Sequence, residues 1–343
     1  MSGGVDSSVA AARLQDQGED VFGIMLRLWS AGPEHLNRCC TPDDVARARQ
    51  VAGQLGIPFY VLDVKDAFKS SVVDPFIHGY AKGITPNPCI SCNRNIRFGF
   101  LLDHALALGA THLATGHYAR LRQVNGQMRL LRGIDAQKDQ SYVLSVLDQR
   151  QLQHARFPLG DLNKAEVRQF AHRLALPSAH RPDSQDLCFL GDQDYRAFLA
   201  ANDAIGPPGK IMDTAGHDLG QHDGLARYTI GQRKGLGISA PAPLYVIEKV
   251  AATNTLVVGP REQLGRLDFR ITHVNWISGE PPAAAQPLQV QVRYKAKQVG
   301  CRIRSEAEHT KVFLDQPLPD ITPGQQAVFY AGEQCLGGGR IDQ

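Results

Sequence analysis

Residues suited to binding phosphate stand at the very start of the chain. Two adjacent glycines let the backbone approach an anion closely, while serine hydroxyls and the amides of a helix start point toward it. No lysine follows in the Walker spacing and an aspartate lies in the turn, which disfavours Walker-type phosphoryl transfer. The sequence therefore predicts a nucleotide phosphate site, just before an alanine-rich helical run, in Ser2, Gly3, Gly4, Val5, Asp6, Ser7 and Ser8.

Three cysteines in two later segments could carry thiol chemistry. Cys89 and Cys92 lie in TPNPCISCN at 85–93, a loop that two prolines stiffen, and Cys188 ends the segment SQDLC. Sulfur transfer needs one thiol to carry a persulfide and a second to attack it, and one cysteine from each segment would suit these roles. Three thiolates with an open fourth position would equally suit a 4Fe-4S cluster. Both interpretations remain open.

Composition limits the class of protein. A chain of 343 residues predicts two or three domains, and no apolar run approaches the roughly 18 residues of a membrane span. The odd count of seven cysteines argues against a secreted disulfide framework, so we expect a soluble cytoplasmic protein. Cys301 and Cys335 are interpreted as small buried hydrophobes, and Cys39-Cys40 as structural. The net charge of +3 is too small to indicate a nucleic-acid-binding protein by itself, so any RNA contact must come from local basic patches.

Hydrophobic patterning predicts an α/β fold of three parts. From 1 to 202 apolar runs alternate with amphipathic helices, which is typical of a doubly wound parallel sheet. Strands are expected at 21–29, 57–64 and 111–115, with helices at 41–56, 97–108 and 164–174 and a hairpin turn at Asn125-Gly126. Frequent glycine and proline residues predict a small, loop-rich central domain at 203–266. Short alternating stretches then predict an antiparallel β-barrel at 267–343.

Polar segments at predicted element ends are further candidates. Gly116 and His117 follow a strand, where doubly wound sheets bind ligands, although a lone histidine there is as often structural. The segment 138–141, KDQS, opens a helix with groups suited to sugar and phosphate, and a solvated helix start explains it equally well. Arg293 and Tyr294 lie in a basic, aromatic stretch that suits phosphate contact and base stacking, or simply the solvent face of a barrel strand.

Together these motifs resemble those of the tRNA-specific 2-thiouridylase family, a group of PP-loop ATP pyrophosphatases. The resemblance covers nearly the whole chain, through SGGVDSS, TPNPCISCN, ATGHYAR, KDQSYVL, SQDLCF, YTIGQRKGLG, VRYK and TPGQQAVFY. It implies a PP-loop domain of the adenine nucleotide alpha-hydrolase type at 1–202, a central domain at 203–266 and a tRNA-contacting barrel at 267–343.

The resemblance also implies roles for individual residues. ATP would lie against Ser2 to Ser8, Leu26 and Gly116. The target uridine would enter at Asn87, Pro88 and Cys89. The tRNA would be held by His117, Lys138, Asp139, Gln140, Arg293, Tyr294 and Gln325.

The implied reaction is thiolation of the wobble uridine in tRNA of the Lys, Glu or Gln type. With Mg2+, ATP would adenylylate the uracil O2, and a persulfide on Cys188 would attack C2 and expel AMP. Cys92 would then release the sulfur and close a Cys92–Cys188 disulfide. A cysteine desulfurase or sulfur-carrier protein would supply the sulfur. The alternatives are a 4Fe-4S cluster on Cys89, Cys92 and Cys188, another PP-loop enzyme such as an amide ligase or a different tRNA thiolase, and non-catalytic RNA binding.

The sequence departs from the family pattern at two places. Some members have an aspartate at the position of Cys89, and a thiol there favours the cluster alternative. Members also have a strand before the phosphate loop, whereas this chain begins at Met1, directly on the loop. We therefore expect the start codon to lie upstream, and a loop at a free terminus to fray.

Overall fold

The computed structural model describes residues 1–31, 41–182, 187–191, 193–319 and 321–342. The pair Cys39-Cys40 and residues 184–186 of the SQDLCF motif lie outside this description. The described residues form an α/β domain, a four-stranded sheet and a barrel sheet. None of their helices is both long and apolar enough to cross a bilayer.

The first domain begins with two parallel strands and a helical crossover. Its first elements are α1 Val5–Asp16, β1 Gly23–Arg27, α2 Pro42–Leu55 and β2 Phe59–Asp63. Strand β1 pairs in parallel with β2. Helix α2 lies where it is predicted: Thr41 and Asp44 form a reciprocal capping box, and Gly56 ends the helix at φ 67°. These caps supply hydrogen-bond partners that helix ends otherwise lack.

Two interrupted helices follow β2. The first runs through α3 Lys65–Phe68, a π-helical segment Lys69–Val73 and α4 Asp74–Ala81. The second runs through α5 Pro88–Ser91, a π-helical segment Cys92–Leu101 and α6 Leu102–Ala107. The sequence predicts a loop to residue 93 and a helix only from 97, but helical backbone begins at Pro88. Proline suits the first helical position because no amide hydrogen needs a partner there.

A second parallel pair, β3 Leu113–Ala114 and β6 Ala155–Arg156, completes the described parallel strands of this domain. The parallel sheet is therefore present as two two-stranded ladders. Ile24 of β1 accepts a hydrogen bond from the amino terminus of Met1. Burial, followed by the charge of Arg97, lowers the pKa of this amino group to about 5.

The predicted hairpin is present and has an unpredicted partner. Strands β4 Ala119–Val124 and β5 Gln127–Arg132 flank Asn125 and Gly126, whose φ angles of 51° and 80° fit a tight two-residue turn. Strand β5 then pairs antiparallel with β16 Gln334–Ile341, the last strand of the barrel. The first and third parts of the chain therefore share one sheet.

Four further helices complete the first domain: α7 Ser141–Leu144, α8 Gln149–Gln153, α9 Lys164–Arg173 and α10 Tyr195–Ala201. Helix α9 agrees with the predicted 164–174, and its start is fixed by a capping box between Asn163 and Glu166.

The central domain is a four-stranded sheet in the order β8-β7-β10-β9. Its strands, packed over a small apolar core, are β7 Gly209–Asp213, β8 Asp218–His222, β9 Tyr245–Val250 and β10 Thr255–Gly259. Lys249 on β9 is half-buried, and desolvation lowers the pKa of its ammonium to about 8; its Nζ donates to the Tyr228 carbonyl at 3.0 Å.

Six antiparallel strands close the C-terminal barrel, because β11 pairs with both β14 and β16. The strands are β11 Arg266–Trp276, β12 Leu288–Gln291, β13 Val299–Ser305, β14 Thr310–Leu318, β15 Gln326–Ala331 and the β16 given above. Closure removes the exposed sheet edges of these strands, and the β4–β5 hairpin extends the sheet to eight.

Candidate nucleotide and thiol site

The predicted phosphate turn folds as a tight bend that opens α1. Gly4 is the N-cap of the helix, and Gly3 has a φ of 69°. A Cβ at Gly3 would lie 2.7 Å from the Asp44 carbonyl oxygen, so the bend needs glycine for both backbone angle and space. The Ser2 amide donates to Ser7 Oγ at 3.1 Å, and the Ser8 hydroxyl donates to the Gly4 carbonyl at 2.9 Å.

A lysine and a tyrosine converge on the aspartate of this turn. Lys164 Nζ donates to Asp6 Oδ1 at 2.6 Å, and the Tyr118 hydroxyl donates to the same oxygen at 2.8 Å. The Lys164 side chain is only 14% exposed. Lysine at the first position of α9 opposes the helix dipole, so its pairing with Asp6 offsets an unfavourable local placement. That placement is the signal by which Lys164 could have been found in the sequence.

The other flank of the turn carries a buried ion-pair cluster. The Asp44 carboxylate, 4% exposed, pairs with Arg181 at 2.5 Å and with Arg47 at 2.9 Å. Arg181 also donates to the Ser2 carbonyl at 3.4 Å. Residues distant in sequence therefore fix the turn on both sides, and no motif in the sequence marked Lys164 or Arg181 as part of the site.

Gly116 lies directly against the phosphate turn. A Cβ there would approach the Asp6 carbonyl carbon to 2.8 Å and the Ser7 amide nitrogen to 3.0 Å. Leu26 lies on β1, half-buried, and packs against the two largest apolar clusters of the first domain. Of these two residues, Gly116 is in direct contact with the turn, and the contact of either residue with ATP stays a prediction.

His117 is an interior residue, only 5% exposed. Arg97 donates to its Nε2 at 3.3 Å, and Nδ1 lies 2.7 Å from the Thr115 hydroxyl. Since arginine can only donate, Nε2 carries the lone pair and Nδ1 the proton. Burial, and then the charge of Arg97, hold the pKa of His117 well below its usual range. The imidazole is neutral and structurally engaged, and its contact with tRNA stays a prediction.

The thiol loop, residues 85–92, ends in a capped helix. The Asn87 Oδ1 accepts hydrogen bonds from the amides of Cys89 at 3.2 Å and Ile90 at 3.4 Å. Cys89 is exposed, and Cys92 is half-buried at the first position of the π-helical segment.

Cys188 joins this region through the hydrophobic core. Like Cys92 it is half-buried, and both thiols pack against the same apolar cluster, which also contacts Leu26. That cluster is built around Phe68, Phe76, Phe189 and Phe198. In the described parts of the chain no three His, Cys, Asp or Glu side chains are grouped so as to hold a metal ion. The described thiols therefore do not fit a three-cysteine ligand set.

The predicted segment 138–140 is held by hydrogen bonds to nearby backbone groups of the first domain. The Asp139 carboxylate accepts from the amides of Gly133 at 3.0 Å and Ser141 at 3.1 Å. Gln140 Oε1 accepts from the Tyr118 amide at 3.0 Å. The Lys138 amide donates to the Asp135 carbonyl. These contacts connect the segment to the start of the hairpin and to α7.

The barrel residues of the predicted tRNA interface meet the thiol loop. Tyr294 is 38% exposed and its ring centroid lies 6.2 Å from that of Tyr142. Burial, and then the charges of Asp139 and Cys89, raise the pKa of Tyr294. Arg293 donates to the Ile230 carbonyl and the Thr322 hydroxyl. The half-exposed Tyr294 ring therefore packs against the buried ring of Tyr142, the second residue of α7.

Family models divide the chain as the fold does. A tRNA methyl transferase HUP domain model matches residues 1–192, a tRNA methyl transferase PRC-barrel domain model matches 196–260, and an aminomethyltransferase β-barrel domain model matches 266–341. Fold and matches define a mixed α/β protein with an N-terminal HUP domain, a central PRC-barrel domain and a closed C-terminal β-barrel.

Curated relatives resemble the whole chain. It is 46% identical to the tRNA-specific 2-thiouridylase MnmA of Magnetococcus marinus, over 99% of this chain and 97% of that protein. Identity is 45% to the protein of the same name from Chloroflexus aggregans, over 99% and 96%, and 45% to that from Geobacter metallireducens, over 100% and 95%. The chain belongs to the tRNA-specific 2-thiouridylase family.

Proposed function

We propose that this protein is an ATP-dependent tRNA-uridine 2-sulfurtransferase that converts the wobble uridine of tRNA to 2-thiouridine. One observation carries the proposal: Cys92, Cys188 and the predicted ATP residue Leu26 pack against one apolar cluster. This arrangement suits a reaction in which a nucleotide activates a base that thiols then attack. The substrates are tRNAs of the Lys, Glu or Gln type, by resemblance to the family.

The phosphate turn fits a nucleotide polyphosphate. Gly3 and Gly116 let neighbouring backbone pack closely against the turn, and the N-terminus of α1 presents amides to an anion. Lys164 adds a cation beside Asp6, and Arg181 adds one beside Ser2. Asp6 would hold Mg2+, whose charge neutralises the departing pyrophosphate.

The proposed reaction has two halves. The uracil O2 attacks the α-phosphorus of ATP and pyrophosphate leaves, which makes O2 a good leaving group. The terminal sulfur of a Cys188 persulfide then attacks C2, and AMP departs with O2. The Cys92 thiolate attacks Cys188 Sγ, the S–S bond breaks, and its electron pair stays on the sulfur now bound to C2. The products are 2-thiouridine and a Cys92–Cys188 disulfide.

The target uridine enters beside Asn87, Pro88 and Cys89 in this proposal. Tyr294 is exposed, the charge of Cys89 contributes to the raised pKa of its hydroxyl, and its ring offers an aromatic face for base stacking. By resemblance to the family, the proposal also includes tRNA contacts at Lys138, Asp139, Gln140, Arg293, Gln325 and His117.

A persulfide relay suits the described thiols better than a cluster. Cys89 is exposed on the first turn of α5, whereas Cys92 and Cys188 share a core cluster. Two thiols suffice for the relay, while a 4Fe-4S centre needs three grouped ligands from the chain. The sulfur would come from a cysteine desulfurase or a sulfur carrier, and we propose the cytoplasm as the place of reaction.

Substitution of Cys188 tests the proposal. We expect Cys188→Ser to release pyrophosphate on mixing with ATP and unmodified tRNA, but to form no thiolated tRNA, since serine cannot carry a persulfide. Cys301→Ala is the control, because Cys301 lies buried in the barrel, where burial raises its pKa to about 12. Thiolated tRNA from Cys188→Ser would contradict the relay. If Cys188→Ser kept the wild-type rate of ATP turnover and the wild type itself formed no thiolated tRNA, an amide ligase would be favoured.

A further inference from the structure

The backbone of Thr85, the first residue of the thiol loop, is held by a turn of the C-terminal barrel. We define the barrel turn as residues 322–326, which lead into β15. The Thr85 amide donates to the Pro323 carbonyl at 2.8 Å, and the Thr85 carbonyl accepts from Gln325 Nε2 at 2.8 Å. Thr85 is 8% exposed, so both of its main-chain groups depend on the barrel turn for hydrogen bonds.

Gly324 lets the two segments approach this closely. Its φ is 91°, and a Cβ there would lie 2.9 Å from the Thr85 amide nitrogen and 3.0 Å from its carbonyl oxygen. The barrel turn is itself anchored to β16: the Gly324 amide donates to the Ile341 carbonyl at 2.9 Å, and the Ile341 amide donates to the Gln325 carbonyl at 2.8 Å. The thiol loop therefore rests on an element that a closed barrel makes rigid.

A second link reaches the cap of the thiol-bearing helix. The Tyr142 hydroxyl donates to the Gln326 carbonyl at 2.7 Å, and the Asn87 side chain offsets part of the rise in the Tyr142 pKa that burial causes. Asn87 Oδ1 in turn accepts the amides of Cys89 and Ile90, so Tyr142 joins the barrel turn to the neighbourhood of this cap. Tyr142 is 1% exposed, so this link is shielded from water.

We propose that the barrel turn positions the thiol loop for sulfur transfer, with Gly324 and Gln325 as positioning residues for Cys89 and Cys92. Gln325 serves the reaction through Thr85, whether or not it also touches tRNA. Arg293 donates to the hydroxyl of Thr322, which begins the barrel turn, and to Ile230 of the central domain, so all three domains meet at this point. The inference deepens the proposed function, since it concerns the thiols that function uses.

Thiol reactivity tests the positioning without ATP or tRNA. The variants are Gly324→Ala and the milder Gln325→Glu, which keeps the size of the side chain but cannot donate to Thr85 when ionised. Gly279→Ala is the matched control, because Gly279 has a φ of 88° but nothing within 4 Å of a Cβ. The rate of Cys92 alkylation by iodoacetamide is measured by mass spectrometry on the folded full-length chain.

We expect Cys92 alkylation to rise about five- to tenfold in Gln325→Glu, the effect of losing one buried hydrogen bond, and at least as much in Gly324→Ala. In thiolation assays kcat should fall while KM for ATP stays unchanged. An unchanged Cys92 rate in Gln325→Glu, or an equal rise in Gly279→Ala, would overturn the proposal. Because alkylation needs no substrate, that result is distinct from a failure of the thiolation reaction itself.

Discussion

Adding one methyl group at Gly116 should displace the phosphate turn. The backbone of Gly116 would not strain an alanine, because its φ lies outside the positive region. The effect of Gly116→Ala is therefore steric: the new Cβ would meet the Asp6 carbonyl carbon at 2.8 Å and the Ser7 amide nitrogen at 3.0 Å. Both contacts are to backbone, so the turn has to move.

The expected cost follows from these contacts. Overpacking against backbone destabilises a protein by about 1–3 kcal/mol, and a shift of about 1 Å at a catalytic group lowers rates by about a hundredfold. We expect kcat/KM for ATP, measured as tRNA-dependent AMP formation, to fall between about tenfold and a hundredfold. The melting temperature of the first domain should fall as well.

Gly53→Ala provides the control in the same domain. Gly53 lies inside α2 with nothing within 4 Å of a Cβ, so alanine there should stabilise the helix by about 0.5–1 kcal/mol and leave activity intact. Wild-type kcat/KM in Gly116→Ala would refute the assignment of this glycine to the support of the phosphate turn.

Two further substitutions probe the surroundings of the turn. Lys164→Met removes a charge-assisted hydrogen bond from Asp6, so kcat/KM for ATP should fall about tenfold to a hundredfold. The control Lys210→Met, at an exposed lysine, should leave kcat/KM unchanged. Equal kcat/KM values in the two variants would show that Lys164 is not part of the site. The pKa of His117 is lowered in the folded chain, so below about pH 6.5 the unfolded chain binds a proton at this residue that the folded chain does not. The free energy of unfolding should therefore be highest above about pH 6.5 and fall as the pH drops below that value. Urea unfolding from neutral pH down to about pH 5 should therefore show the wild type losing about 2 kcal/mol more than His117→Gln, since about 1.36 kcal/mol is lost per pH unit below about pH 6.5. Parallel losses in the two proteins would contradict a neutral buried imidazole.

Local signals predicted what local interactions determine. The capping residues of α2 and the Asn125-Gly126 turn are found as expected, because a few adjacent residues fix each of them. The start of α5 was missed, since Pro88 suits both a stiff loop and the first turn of a helix.

Contacts between segments that are distant in sequence could not be predicted from local sequence patterns. Strand β5 shows a hairpin pattern, but nothing in it indicates that Leu130 pairs with Cys335 in the barrel. The pairing of Lys164 with Asp6 joins two helix starts that are separated by 158 positions. Such partners depend on how the domains pack, and pattern and propensity describe only neighbours along the chain.

The most direct test of the account is the state of two thiols after a single turnover. Protein carrying a Cys188 persulfide is mixed with ATP and unmodified tRNA without reductant, and digested peptides are analysed by mass spectrometry. We predict one Cys92–Cys188 disulfide for each 2-thiouridine formed. Thiolated tRNA produced while both cysteines remain reduced would contradict the account.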